Sequence, residues 1–155
     1  MSFYVFIKFL HIFGLILGYG GVIFTALLSA KSIKDIGLFK ATAKITPIFS
    51  FLIWTGLALL FVSGVWLENF WFSQEDIFFL EVKKILVVFI VFHGIYVNLY
   101  LTKKMRKFAE LDNPFEAQGF KKFKILGIIS TSTSLILWSS AVILGILMSS
   151  GLMGR

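Results

Sequence analysis

Four apolar blocks, each long enough to cross a bilayer as a helix, constrain this chain more than anything else in it. They run over about 3–30, 45–67, 79–101 and 125–148. A hydrocarbon core about 30 Å thick needs about 20 helical residues to span it. Backbone groups left unpaired in lipid are prohibitively costly, and the blocks lack the alternation of strands, so each is expected to be a helix. What remains of the 155 residues is too short to fold alone. The expected fold is therefore all-α: one polytopic membrane domain over 1–155, an up-down bundle of four transmembrane helices. A composition of 58% hydrophobic and 15% charged residues leaves no room for a soluble catalytic domain. The absence of cysteine excludes disulfides, thiolate metal sites and cysteine nucleophiles.

The first block is read as a retained span rather than a signal peptide, because it lacks a basic start and a small-residue cleavage site. The net charge of +7 lies beside the spans. Lys31, Lys34, Lys40 and Lys44 follow the first span, and Lys103, Lys104, Arg106, Lys107, Lys121, Lys122 and Lys124 separate the last two. Basic loops stay on the cytoplasmic side, so this charge reads as topology and not as a nucleic-acid surface. The loop between the second and third spans carries Glu68, Glu75 and Asp76 without a basic residue, and the chain is nearly uncharged at both ends until Arg155. Both termini are expected outside a bacterial inner membrane. Trp66, Phe70, Trp71 and Phe72 read as an aromatic belt at the outer interface. Asn113-Pro114 and Gly119 read as a turn in the longer inner loop.

Small residues recur at four-residue spacing, Gly14 with Gly18 and Ala141 with Gly145, and Gly20 and Gly21 follow the first pair. This spacing suits close packing inside the bundle, a homodimer interface, or space for a flat cofactor or lipid tail.

Ionisable groups inside a span are costly and are functional candidates by default. Here they are Lys8, His11, Glu81, Lys83, Lys84 and His93. Counting 1.5 Å per residue puts His11 about 12 Å and His93 about 21 Å below the outer surface. The same count gives an outer layer of Lys8, His11, Lys83 or Lys84, and Ser139 or Ser140 beside Trp138. An inner layer contains His93, Tyr19 to Gly21, Ser50 and the run Ser130 to Thr133. Both histidines of the chain are intramembrane. Each suits either an interhelical hydrogen bond or axial ligation of haem iron by a neutral imidazole whose other nitrogen is held by a neighbour. Whether both serve one iron is open. Lys8, Lys83 and Lys84 are candidates for haem propionates or an acidic tetrapyrrole, and equally for snorkelling to lipid phosphates. Trp54, Tyr96 and Trp138 are candidate pocket walls.

The stretch Phe6-Ile7-Lys8-Phe9-Leu10-His11-Ile12 resembles the Lys-x-Leu-His-Ile opening of HemJ-type membrane proteins. Gly64-Val65-Trp66-Leu67 is similar to a Gly-x-Trp-Leu of that family, and Lys83-Lys84 followed by His93 resembles its Lys…His arrangement. The resemblance implies a four-span haem b protein linked to protoporphyrinogen oxidation, an oxidoreductase with a tetrapyrrole or quinone partner. The family's Leu-Pro-Arg segment has no counterpart in Ile23-Phe24-Thr25-Ala26-Leu27, and the Lys-to-His spacing of the third span is shifted. The segment from Val82 to Asn98 is also similar to CopD-like copper-resistance proteins, and the first span to other four-span bacterial families. Copper chemistry expects imidazole or thioether clusters, whereas Met105, Met148 and Met153 lie away from both histidines in sequence.

The expected function is haem b binding for electron transfer or HemJ-like oxidation, with His11 and His93 as metal-ligand candidates. A non-catalytic membrane subunit or scaffold is the alternative, and an oligomeric channel or transporter ranks below it because no carboxylate lies deeper than Glu81.

Overall fold

The computed structural model describes residues 2–71 and 77–149. Glu75, Asp76, Phe72, Met153, Arg155 and the side chains of Phe70 and Trp71 lie outside the described residues. Helix α1 (Phe3–Ser32) turns through residues 33–35 into α2 (Ile36–Trp71); α3 (Ile77–Tyr96) continues through a π-helical segment (Val97–Thr102) into α4 (Lys103–Ala109); and a 3-10 turn (Pro114–Glu116) leads to α5 (Phe120–Ser149). Among the described residues there is no strand. Four helices are long and apolar enough to cross a membrane: Phe3–Ser32, Ile36–Glu68, Ile77–Ala109 and Phe120–Met148. Large apolar side chains such as Ile16, Phe51, Phe61, Phe92 and Ile136 stand exposed on the outside of the bundle, as a lipid-facing surface requires.

The helices outrun the apolar blocks at the end of the molecule that carries the basic loops, here the basic end. Asp35 starts α2 nine residues or so before the apolar run, its carboxylate accepting from Leu38 N–H at 2.9 Å, an N-cap. The first turns of α2 are amphipathic, burying Phe39, Thr42 and Ala43 while Ala41 and Lys44 stay exposed. In the loop before α5, the Asn113 side chain accepts from Phe115 N–H and Pro114 opens the 3-10 turn. Gly119 takes the left-handed conformation, φ 86°, which a side chain would disfavour. The expected turn is thus present at these residues.

Packing divides the bundle into two helix pairs, α1 with α2 and α3 with α5, joined by smaller α1–α5 and α2–α4 contacts. The first pair is held at glycine. A Cβ on Gly14 would stand 2.9 Å from the Gly56 carbonyl oxygen, and one on Gly56 would collide with the Gly18 backbone. Gly14 and Gly18 therefore serve packing within the bundle, letting two backbones touch where any side chain would part them. The α1–α5 contact is made by Trp138, whose ring covers Gly18 and stacks on Tyr19 with centroids 6.4 Å apart. The basic end is closed by a phenylalanine cluster. Phe39 meets Phe115 and Phe120 edge to face at 5.9 and 5.6 Å, and Phe108 meets Phe120 at 5.4 Å, the orientation aromatic quadrupoles favour. At the opposite end, here the Glu68 end, Phe3 packs edge to face on Trp66 at 5.5 Å.

Candidate functional site

Each histidine sits between two helices and meets a serine of its neighbour, but the two pairings differ chemically. His11 Nδ1 of α1 lies 2.9 Å from Ser63 Oγ of α2. The Ser63 hydroxyl donates its hydrogen to the Leu59 carbonyl one turn back on its own helix. A hydroxyl has one hydrogen, so with that hydrogen on the Leu59 carbonyl Ser63 accepts towards His11, and the imidazole then donates from Nδ1. His11 Nε2 is left with its lone pair. On the other pair, His93 Nε2 of α3 lies 3.0 Å from the backbone carbonyl oxygen of Ser130 on α5 and 3.2 Å from its hydroxyl. Paired with the carbonyl, which only accepts, His93 donates from Nε2 and keeps its lone pair on Nδ1; paired with the hydroxyl, Nε2 accepts instead. In the carbonyl pairing the two rings hold opposite tautomers.

The two imidazoles are separate sites. Trp54 packs on Gly94, next to His93, and it lies nine residues from Ser63 on α2, about 13 Å along the axis. Two nitrogens on one metal stand about 4 Å apart, since each metal–imidazole bond is about 2 Å. Between the two levels lie Trp138 and the hydrogen bond from Tyr19 Oη to Ser139 Oγ, 2.7 Å. That bond corrects the depth count, which puts Ser139 level with His11 and Tyr19 level with His93. The count starts each span at the edge of its apolar block. The helices begin and end up to about two and a half turns beyond those edges, so residues on different helices slide past their nominal partners. Ser130, counted level with His93, does meet it.

The lysines also separate. Lys84 reaches Glu68 and Glu81, 2.9 Å from each, in an exposed cluster at the Glu68 end. Lys83, one residue earlier and so on another face of α3, turns into the bundle. Its Nζ stands 3.2 Å from where a Cβ of Gly145 would be, facing α5. Lys83 is half-buried and makes no ion pair with a described residue. Lys8 does not join this group; it is exposed on the outer face of α1. The site at the Glu68 end is thus His11, Ser63 and Lys83, with Gly64 beside the His11 ring, where a Cβ would stand 3.9 Å from Cε1 in ordinary contact.

His93 instead borders a cavity of about 540 Å³ towards the basic end, lined by all four spans. Trp54 and Trp138 are in its walls, and Ser50 and Ser130 to Ser132 contribute hydroxyls. Tyr96, the third aromatic candidate, is exposed and stacks on Tyr100 with centroids 5.5 Å apart. The π-helical turn directly after α3 places Val97, Leu101 and Thr102 against the cavity. Such widened turns are frequent at functional sites. Among the described residues, no group of three His, Asp or Glu side chains converges.

Sequence reading finds neither Ser63 nor Gly56, because one serine and one glycine in an apolar helix carry no pattern until the opposing helix is known. Gly64-Val65-Trp66, one residue on from Ser63, is the nearest signal the sequence offers. No family model, curated protein or solved structure matches the chain.

Proposed function

We propose that this chain is a multi-pass protein of a bacterial inner membrane that binds haem b through His11 and serves electron transfer or a HemJ-like porphyrinogen oxidation. In this reading the basic end faces the cytoplasm and both chain ends lie outside, as the distribution of Lys and Arg favours. The observation that carries the proposal is the committed hydrogen of Ser63. With Ser63 as acceptor, His11 takes the Nδ1–H tautomer and its Nε2 is available as a ligand nitrogen inside an apolar bundle, which supports the reading. Metal-bound imidazoles characteristically donate their other N–H to a neighbour in this way.

The donor set fits a haem in charge as well as in tautomer. Lys83 is half-buried, turned into the bundle and without an ion pair to any described residue, which suits it to a propionate where low dielectric strengthens the attraction. Lys84 is already engaged by Glu68 and Glu81 and is not assigned to the group. A bound haem supplies one-electron chemistry. The protein's own contribution is to orient His11 through Ser63, to balance charge through Lys83, and to exclude water by the glycine-tight packing of α1 on α2. His93 is the second candidate ligand, through Nδ1, with its orientation set by the Ser130 carbonyl. Trp138 then walls the cavity beside His93, and Ser139 lies between the two sites.

The test is the absorption spectrum of the protein purified in mild detergent, oxidised and reduced, beside His11→Ala, His93→Ala and Ser63→Ala. A Soret band with sharp reduced α and β bands, lost in His11→Ala and kept in His93→Ala, is the expected result. Ser63→Ala should keep the haem with a shifted midpoint potential. A colourless protein that remains colourless after haem addition overturns the proposal.

A second reading has its own support: both histidines already have interhelical hydrogen-bond partners, which is all that a membrane subunit or scaffold without cofactor requires. In that case His11→Ala changes stability and no spectrum.

A further inference from the structure

The cavity beside His93 is open where the rest of the bundle is closed. Gly127 of α5 lines it, and a Cβ built there meets nothing within 4 Å. The cavity ends at Trp138 in one direction and at Phe39 and Phe123 of the phenylalanine cluster in the other. From Lys124 to Trp138 is fourteen residues of α5, about 21 Å of length. Spread over that length, about 540 Å³ gives a mean cross-section of the order of 25 Å², one or two hydrocarbon chains wide at carbon–carbon contacts of about 3.5–4.0 Å. Leu27 of α1 and Ile128 of α5 border it and are more than half exposed, at 60% and 52%, so it opens sideways between these helices towards lipid.

Several of its polar groups are paired within the protein, while Thr131, Ser132 and Ser134 also line it. The Thr25 hydroxyl donates to the Gly21 and Val22 carbonyls, and Thr46 donates to Thr42. The His93 N–H is held by Ser130. The wall is therefore compatible with a hydrocarbon tail. At the basic end, however, the lining includes Lys124, half-buried and without an ion pair to any described residue. Its neighbours Lys121 and Lys122 add to the positive field. Basic pockets between membrane helices are characteristic seats of anionic lipid headgroups.

We infer that this crevice is a binding site for one anionic phospholipid of the leaflet at the basic end, with its phosphate on Lys124 and an acyl chain running past Gly127 to Trp138. The site shares no residue with His11, Ser63 or Lys83 and borders only His93, the second candidate ligand.

Trp54 and Trp138 in the wall provide the measurement. In a Trp66→Phe, Trp71→Phe background, the full chain is reconstituted in phosphatidylcholine vesicles containing a fixed fraction of acyl-brominated lipid, either phosphatidylglycerol or phosphatidylcholine, and tryptophan quenching is read. Brominated phosphatidylglycerol should quench at least twofold more strongly than brominated phosphatidylcholine at the same fraction. Lys124→Gln, which alters charge and not cavity volume, should bring the ratio to about one. Gly127→Phe should remove quenching by both lipids in excess of the level given by a soluble-detergent control. Equal quenching by the two lipids in the parent protein overturns the inference. So does a preference that survives both Lys124→Gln and Gly127→Phe.

Discussion

The two halves of the bundle use the same residue types to opposite ends. Near the Glu68 end, α1 and α2 touch backbone to backbone at Gly14, Gly18 and Gly56, and the histidine beside that contact is tied to a serine hydroxyl. Towards the basic end, α1 and α5 part below Trp138, a glycine of α5 faces empty space, and the histidine there is tied to a backbone carbonyl. Glycine is a contact in one half and a vacancy in the other. Histidine keeps Nε2 free in one half and Nδ1 in the other. What differs is the partner helix: where it approaches, a missing side chain becomes close packing, and where it diverges, the same absence becomes a cavity.

The largest effect expected from breaking this contrast is at Gly56. Gly56→Ala sets a Cβ against the Gly18 backbone, which has no flexible end to yield, so a loss of about 3 kcal/mol or more is expected. Denaturant titration in detergent micelles measures it, and a variant as stable as the parent would deny that the two backbones touch.

Next are the two serines, which sharpen the histidine comparison. Ser63→Ala removes the acceptor for His11 and should destabilise the bundle by about 0.6–1.7 kcal/mol, the range of interhelical hydrogen bonds in membranes. Ser130→Ala keeps the carbonyl that His93 uses and should fall below about 0.6 kcal/mol. Double-mutant cycles of each serine with its histidine give the comparison directly: a clear coupling for His11 with Ser63 and almost none for His93 with Ser130. Equal couplings would mean that the Ser130 hydroxyl, not its carbonyl, holds the ring.

The smallest effect has the opposite sign. Gly127→Ala meets nothing and exchanges a poor helix former for the best one, so it should raise stability by about 0.5–1 kcal/mol in the same titration. Together with Gly56→Ala, it makes one chemical change produce opposite results at two sites in one molecule.

Much of the fold was legible in the chain itself. The apolar lengths at 3–30, 45–67, 79–101 and 125–148 fix helices because lipid tolerates no unpaired backbone, and these helices appear with their cores in place. The extensions were harder to see, since Ile36–Lys44 and Lys103–Ala109 mix lysines with buried Phe39 and Phe108, and only the opposing aromatic rings make those segments helical faces. The turn at Asn113-Pro114 and Gly119 was readable because its residues act locally, through a side-chain cap and a left-handed φ.

The candidate site was legible as residues and not as an arrangement. A histidine, like a lysine, is conspicuous in an apolar helix because its burial is costly, so His11, His93 and Lys83 stand out unaided. Depth counting then brings His93 to Ser130 but misplaces Tyr19 and Ser139, because it cannot know how far each helix runs past its apolar block. The sequence by itself determined which segments are helices and which polar groups they carry inward, since these follow from solvation of backbone and charge, properties of each segment alone. Only the tertiary structure decided which nitrogen of each histidine is free, that Lys83 and not Lys84 turns inward, and that Gly56 closes a contact while Gly127 leaves a cavity. Each of these depends on which atom of another helix stands opposite.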